Sequence, residues 1–321
     1  MRAIELRVAA LAMACGLAPT ASCAQVAQGP LVQAVTASQA GVWLRTTIAQ
    51  PVRVRVSAPD GTQTYTSSRT TSPISDYTAH FIVTGLLPAS TYRYQVGTTD
   101  GEGVEHWTGT YAFDTVATEP ARLDIAVLSD FANKLVGSPS LRTALQARPD
   151  LLAVIGDLDH RGPAGASHPT LVDDPAAEFA DMRAMHRDTR DPATPLGADF
   201  ASGLIGAPDS GVPQIPWVYA WDDHDFCANN AGMKCPAAAL AFQALDEYYI
   251  LAPDNWQANG CSYPADFESL TYGTLAQLFF LDARSNRVPF SPTRAGTNLG
   301  ACQLQWLEAR LHASKALWKI V

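Results

Sequence analysis

Leu151-Leu152-Ala153-Val154-Ile155 is an unbroken apolar run, and Gly156-Asp157-Leu158-Asp159-His160 follows it at once. Five apolar residues with no polar face read as a strand buried on both sides, as in a parallel sheet. The carboxylates and the imidazole then stand just past the carboxyl end of that strand, where open α/β sheets bind their ligands. The same pattern recurs along the chain. Leu123–Leu128 ends at Ser129-Asp130, Ile215–Ala220 ends at Trp221-Asp222-Asp223-His224-Asp225, and Leu275–Leu281 ends at Asp282. Helical stretches lie between these runs. Ser138-Pro139 opens one bearing Leu141, Ala144 and Leu145, and Asp174-Pro175 opens another reaching about Arg190. Pro236 opens a third with Ala238, Phe242, Leu245 and Tyr249, and the last carries Leu304, Leu307 and Leu311. Ser or Asp followed by Pro is a helix-start signal. Strands alternating with helices predict an α/β domain over residues 121–321 with a largely parallel sheet, its four aspartates gathered on one rim. Ala316–Val321 reads as the start of a fifth strand, whereas Gly162–Ser167 and Pro192–Pro213 read as loops.

Residues 29–117 read as all-β. Val52-Arg53-Val54-Arg55-Val56 alternates strictly, Ala79, Phe81 and Val83 share a face, and so do Tyr92, Tyr94 and Val96. Pro59-Asp60-Gly61 and Asp100-Gly101 are turns. Short strands between turns predict a sandwich. Gly85-Leu86-Leu87-Pro88 with Thr91-Tyr92-Arg93-Tyr94 resembles the tyrosine corner of fibronectin type III domains, and Gly41-Val42-Trp43-Leu44-Arg45 resembles their Trp-bearing strand.

The 321 residues are 47% hydrophobic and 17% charged, enough to bury a sizeable core. The net charge of −9 excludes a nucleic-acid-binding surface as the main feature, and an anionic substrate would need a local attractor such as a metal ion. Arg2 and Arg7, the apolar Val8–Leu17 and the small Ala21-Ser22-Cys23-Ala24 form the layout of a secretory signal over residues 1–24. That apolar run is too short to span a bilayer, and no other long one exists, so a transmembrane segment is not expected. The reading is an exported protein, periplasmic or extracellular. Thr20 stands where a lipobox has Leu, which argues against a lipid anchor at Cys23. Four cysteines remain beyond the signal: Cys227, Cys235, Cys261 and Cys302. An even count in an oxidising compartment predicts two disulfides. Three pairings are open; Cys227–Cys235 with Cys261–Cys302 is preferred, and the absence of CxxC spacing argues against a thiolate metal site.

Clustered carboxylates repel one another and are costly to desolvate, and a cation resolves both problems. Oxygen ligands with a few imidazoles suit Ca, Mn, Zn or Fe. Among the seven histidines, His160 and His224 sit in such motifs, whereas His80, His106, His168, His186 and His312 read as packing or surface residues.

Gly156-Asp157 with His160 three positions on, Asp222-Asp223-His224-Asp225, Leu281-Asp282-Ala283-Arg284, and Gln303…Trp306-Leu307 through Trp318-Lys319 together resemble the PhoD-type alkaline phosphatases and phosphodiesterases. These belong to the calcineurin-like metallophosphatases, and their catalytic domain often follows a fibronectin-like sandwich. The resemblance implies two or more metal ions hydrolysing a small phosphate ester or diester. It implies Asp130, Asp157, His160 and Asp223 as metal ligands, with Asp157 bridging. His160 stands where relatives carry a tyrosine, and Asp223 where the superfamily has an Asn. His224 matches the histidine that assists leaving-group departure. Arg284 would steady a phosphate oxygen or form an internal Arg–carboxylate pair. No twin-arginine pair precedes the signal. Asp130 replaces the Cys found near the first motif, which argues against an iron–thiolate arrangement. The family's Ser-Gly-Asp-x-His segment does not occur before Val321. The expected fold is therefore an α/β metallophosphatase domain truncated at its C-terminus, behind the sandwich. The alternatives are a secreted carbohydrate- or protein-binding relative without catalysis, or a glycosidase using paired carboxylates, which leaves the histidines without a role.

Overall fold

A computed structural model describes residues 25–131, 135–158, 174–227, 229–261, 264–288, 292 and 295–321. The expected signal (1–24), His160 and the expected loop at 162–167 lie outside the described residues.

The N-terminal part is built from nine strands: β1 (Val26–Gln33), β2 (Gln39–Thr46), β3 (Pro51–Ser57), β4 (Gln63–Tyr65), β5 (Arg69–Thr70), β6 (Thr78–Thr84), β7 (Thr91–Thr99), β8 (Glu105–Trp107) and β9 (Tyr111–Asp114). The alternation seen in the sequence sets their faces. Val52, Val54 and Val56 pack against Val42, Leu44, Phe81, Tyr92, Tyr94 and Val96 in one core. The Tyr92 hydroxyl accepts the Leu87 N–H at 2.7 Å, closing the expected corner.

Trp43 departs from the sandwich pattern. It lies on the face of β2 opposite Val42 and Leu44, fully buried, with its indole N–H donating to Glu247 O at 2.9 Å. Strand β2 is thus dry on both faces, because helices from the second half of the chain cover the face that a free sandwich would leave wet.

Strands β10 (Ile125–Leu128) and β11 (Leu151–Ile155), then β12 (Pro213–Gln214) and β13 (Trp217–Ala220), follow in order. β10, β11 and β13 are parallel and in register, and β13 meets β1 at Trp217↔Gln33. One six-stranded sheet therefore runs β10-β11-β13-β1-β2-β6, through both halves of the chain. A second runs β12-β9-β7-β3-β4, with β5 and β8 at its side.

The expected fourth parallel strand is elsewhere. After β14 (Asp254–Asn255), strands β15 (Glu268–Tyr272) and β16 (Ala276–Phe280) form an antiparallel hairpin, and β17 (Trp318–Ile320) adds parallel to β16. The three-residue turn Gly273-Thr274-Leu275 is short enough to return the chain beside itself, so β16 pairs locally instead of crossing back to the parallel sheet. This third sheet packs Leu270, Tyr272, Ala276 and Leu278 onto Leu151, Ala153, Val218 and Ala220.

The other face of the parallel strands is covered by α1 (Pro139–Gln146), α2 (Pro175–Asp188) and α3 (Pro195–Phe200). The one-turn α4 (Asp223–Phe226) and α5 (Ala238–Tyr248) follow, and α6 (Gly300–Ala313) leads into β17. Helix α3 corrects the loop expected at 192–213. Thr194 Oγ1 accepts the Gly197 N–H at 3.0 Å, Pro195 occupies the first turn, and a wider turn continues to Ile205. In α6 the inward residues are Gln303, Trp306 and Leu307, while Leu304 is 46% exposed, so the apolar face is rotated from the one expected. Both preferred disulfides are formed, Cys227–Cys235 and Cys261–Cys302.

Candidate metal centre

The register of β10, β11 and β13 sets their carboxyl ends at one level, and the turns beyond them are stitched together. Gly156 (φ 94°) and Asp157 (φ 52°) are consecutive left-handed residues. A side chain at 156 would place its Cβ 2.5 Å from the Asp222 backbone nitrogen, so only glycine permits this approach. Asp130 N donates to Gly156 O at 3.4 Å and Phe131 N to Asp157 O at 3.1 Å, which ties in the β10 end.

Asp157, Asp223 and His224 are all buried, and one ligand atom from each lies within 4.8 Å of the others. Two carboxylates and one imidazole at that spacing are an oxygen–nitrogen donor set suited to a divalent cation. Such a cation would also relieve the repulsion of the two buried anions. The donor set thus fits a metal ion. Asn230 N donates to the Asp223 carboxylate, and Arg284 Nη2 lies 3.4 Å from its other oxygen. Arg284 also pairs through Nε with Asp222. Burial disfavours the guanidinium charge, but the Asp222 bond and the charges of Asp222, Asp223 and Asp157 outweigh it and raise its pKa. Beneath the ligands, burial pushes the Asp225 carboxyl up to about 7, with the Asp157 charge adding to the shift and backbone N–H donors opposing it.

Of the expected ligands, the structure brings together Asp157 and Asp223, along with His224. Asp130 stands on the same rim but is exposed and outside this group, its Oδ2 accepting from Ser129 Oγ at 2.6 Å. Arg284 adopts the internal-pair alternative. Asp282 does not join the rim. It is fully buried, and its Oδ1 accepts from the Trp221 indole at 2.9 Å, Arg284 N at 2.9 Å and Ser285 N at 2.8 Å. Its Oδ2 accepts from Asp266 N at 3.0 Å and from the Ser285 hydroxyl. The physical reason is that β16 ends in a different sheet, so its aspartate caps a turn. The sequence reading missed Asp222 as the partner of Arg284 and Asp225 as an acceptor of backbone amides. The Asp-x-x-Asp spacing at the helix start was the available signal for the latter.

The site straddles the boundary of a recognisable segment. Residues 211–321 match the PhoD-like phosphatase family. That PhoD-like segment carries Asp223, His224 and Arg284, whereas Asp157 precedes it. Residues 23–111 match a domain of unknown function (DUF7800). Over 94% of the chain, the fold is similar to a solved structure of PhoD, at 20% identity and a TM-score of 0.67. It is also similar to the purple acid phosphatase PPD1 from yellow lupin (Lupinus luteus) seeds, over 90% of the chain at 14% identity and a TM-score of 0.55. The chain spans 62% of the PhoD structure and 49% of the lupin enzyme. No curated protein sequence matches it.

Proposed function

We propose that the chain serves metal-dependent hydrolysis of phosphate monoesters or diesters. The observation that carries this reading is the buried Asp157–Asp223–His224 cluster, in which each ligand atom is within 4.8 Å of the others. Asp157 and Asp223 would hold a metal ion beside His224, with Asp130 and His160 as the further ligands that the sequence implies. When bound, the ions neutralise phosphoryl oxygens and lower the pKa of water. The protein's own contributions are separable. His224 would protonate the departing alkoxide. Arg284, paired with Asp222 and 3.4 Å from Asp223, offsets the repulsion between the two carboxylates and orients them. The local positive charge of the ions lets an acidic chain attract an anionic ester. The N-terminal sandwich, taken as residues 29–117, is read as fibronectin type III-like on the Tyr92 corner. Residues 121–321 are read as the metallophosphatase domain. Among the described residues no helix is long and apolar enough to cross a membrane, and two disulfides suit an oxidising compartment outside the cytoplasm.

Elemental analysis and hydrolysis of an aryl phosphate and an aryl phosphodiester test the proposal. Asp157→Asn and Asp223→Asn should each strip metal, and His224→Ala should lower turnover by about 10²-fold or more. A metal-loaded chain that hydrolyses neither ester, or hydrolysis indifferent to chelation and to His224→Ala, would refute it.

A further inference from the structure

We infer that Asp225, itself neither ligand nor acid, is the positioning residue of this centre, clamping the two ligand-bearing strand ends at a set separation. The inference rests on the metal-centre reading proposed above. Asp225 Oδ2 accepts the Asp157 N–H at 2.7 Å and the Asp222 N–H at 3.1 Å. Its Oδ1 accepts the Leu158 N–H at 3.0 Å. A residue at the third position of a helix ordinarily reaches back only to its own cap, which is the Asp222 bond. The other two donors come from the end of β11, 68 and 67 positions away in sequence.

The β11 turn is shaped for that guest. The successive Asp157 and Leu158 amides converge on the Asp225 carboxylate, and adjacent N–H groups aimed at one point bind an anion. An aspartate in the left-handed conformation of Asp157 is strained, and the two bonds from Asp157 and Leu158 to Asp225 offset the strain. The carboxylate is 3% exposed, so water does not substitute for it. One side chain therefore joins the amide of one ligand, Asp157, to the turn that carries the other, Asp223, and the acid His224. The Gly156 contact with Asp222 fixes how close the turns come; Asp225 fixes that they stay there.

The test uses the full chain and Mn²⁺ alone, by calorimetric titration and by the EPR spectrum of the bound ion. Asp225→Asn keeps the shape but presents an NH₂ group to amides that need acceptors. It should retain the near-UV CD of the fold, weaken Mn²⁺ binding about 10- to 100-fold and alter the spectrum. Asp254→Asn removes a carboxylate that pairs with Arg310 at 2.8 Å on the third sheet. It should lower stability yet leave Kd and spectrum as in the wild type, a split that a merely structural role for Asp225 would not produce. A folded Asp225→Asn chain with wild-type Kd and spectrum overturns the inference alone. A wild-type chain that binds no Mn²⁺ overturns the metal reading and this inference with it. Should Asp225→Asn not fold, hydrogen exchange on the wild type decides. Slow exchange of the Asp157 and Leu158 amides upholds the clamp, and exchange at the rate of an open loop refutes it.

Discussion

His80 offers a measurement of how firmly the N-terminal sheet is sealed by the second half of the chain. It sits on β6 opposite Trp43, and its Nε2 lies 3.0 Å from Glu247 O, the carbonyl at the end of α5 that also accepts the Trp43 indole. Burial, with smaller contributions from Arg69 and Arg190, depresses the imidazole from 6.5 to about 4, while the bond to Glu247 O opposes the shift. A depressed histidine is neutral in the fold and charged in the unfolded chain at mildly acid pH. Its stabilising contribution is therefore complete above pH 6.5 and is lost as pH falls toward 4. Between pH 7 and pH 4.5 a shift from 6.5 to about 4 amounts to roughly 2 kcal/mol for this half-buried ring. His80→Gln keeps a donor for Glu247 O and does not titrate. Urea unfolding followed by tryptophan fluorescence should show the wild type losing roughly 2 kcal/mol more than His80→Gln over that interval. Comparing the two chains cancels the other titrating groups. Parallel losses, within about 0.5 kcal/mol, would mean that water reaches the ring and that the seal does not exist.

Two further outcomes follow from the same interior. Arg190 is 2% exposed, its guanidinium 4.8–5.1 Å from the ring centres of Trp43, Trp217, Tyr248 and Tyr249, with Nη1 donating to His186 O at 2.9 Å. Arg190→Lys should cost about 3 kcal/mol in urea unfolding, because a compact ammonium cannot lie flat among four rings; a loss below about 1 kcal/mol would sink the argument. Burial pushes the Glu268 carboxyl from 4.5 up to about 8, so its stabilising contribution is complete below pH 4.5 and is lost as pH rises through about 8. Moving from pH 5 to pH 9, Glu268→Gln should gain about 4 kcal/mol relative to the wild type, and identical alkaline profiles would contradict the assignment.

The residues of the buried Asp157–Asp223–His224 cluster could be picked out of the sequence; the destination of each strand could not. Leu151–Ile155 with Gly156-Asp157, and Ile215–Ala220 with Asp222–Asp225, could be placed because an apolar strand end followed at once by carboxylates puts those carboxylates on the rim of a parallel sheet. Leu275–Leu281 reads identically, yet it belongs to another sheet. An apolar run states that it is buried, not which partner buries it, and the turn at Gly273 that redirects it was the missed cue. Glu268-Ser269-Leu270-Thr271-Tyr272 escaped notice as a strand because its buried Glu268 and Ser269 break the apolar pattern. Trp43 was assigned to a strand correctly, but a free sandwich predicts one wet face, and only the long-range contact with α5 makes that face dry. The disulfides were readable because the spacing of four cysteines leaves few pairings, and Cys227–Cys235 closes a short loop beside the ligand turn.

The placement of β13 explains why the sandwich cannot be treated as an appendage to the site. The strand that delivers Asp223 and His224 is flanked by β11, which delivers Asp157, and by β1, which belongs to the N-terminal part. Pairing between β1 and β13 is confined to Gln33↔Trp217, so backbone hydrogen bonds alone hold that seam weakly. Side chains make up the difference. Gln33 accepts the Ile250 N–H at 2.9 Å, the Gln214 amide donates to Pro30 O at 2.8 Å, and Arg190 bridges Trp43 on β2 to Trp217 on β13. Each of these groups is buried, so breaking the seam would leave polar atoms unpaired and aromatic surface exposed at once. The Asp222–Asp225 turn after β13 is thus braced by Asp225 against the β11 turn and, through the root of its strand, by the aromatic cage against the sandwich. Rigid support from both sides holds the buried Asp157 and Asp223 carboxylates close against their mutual repulsion.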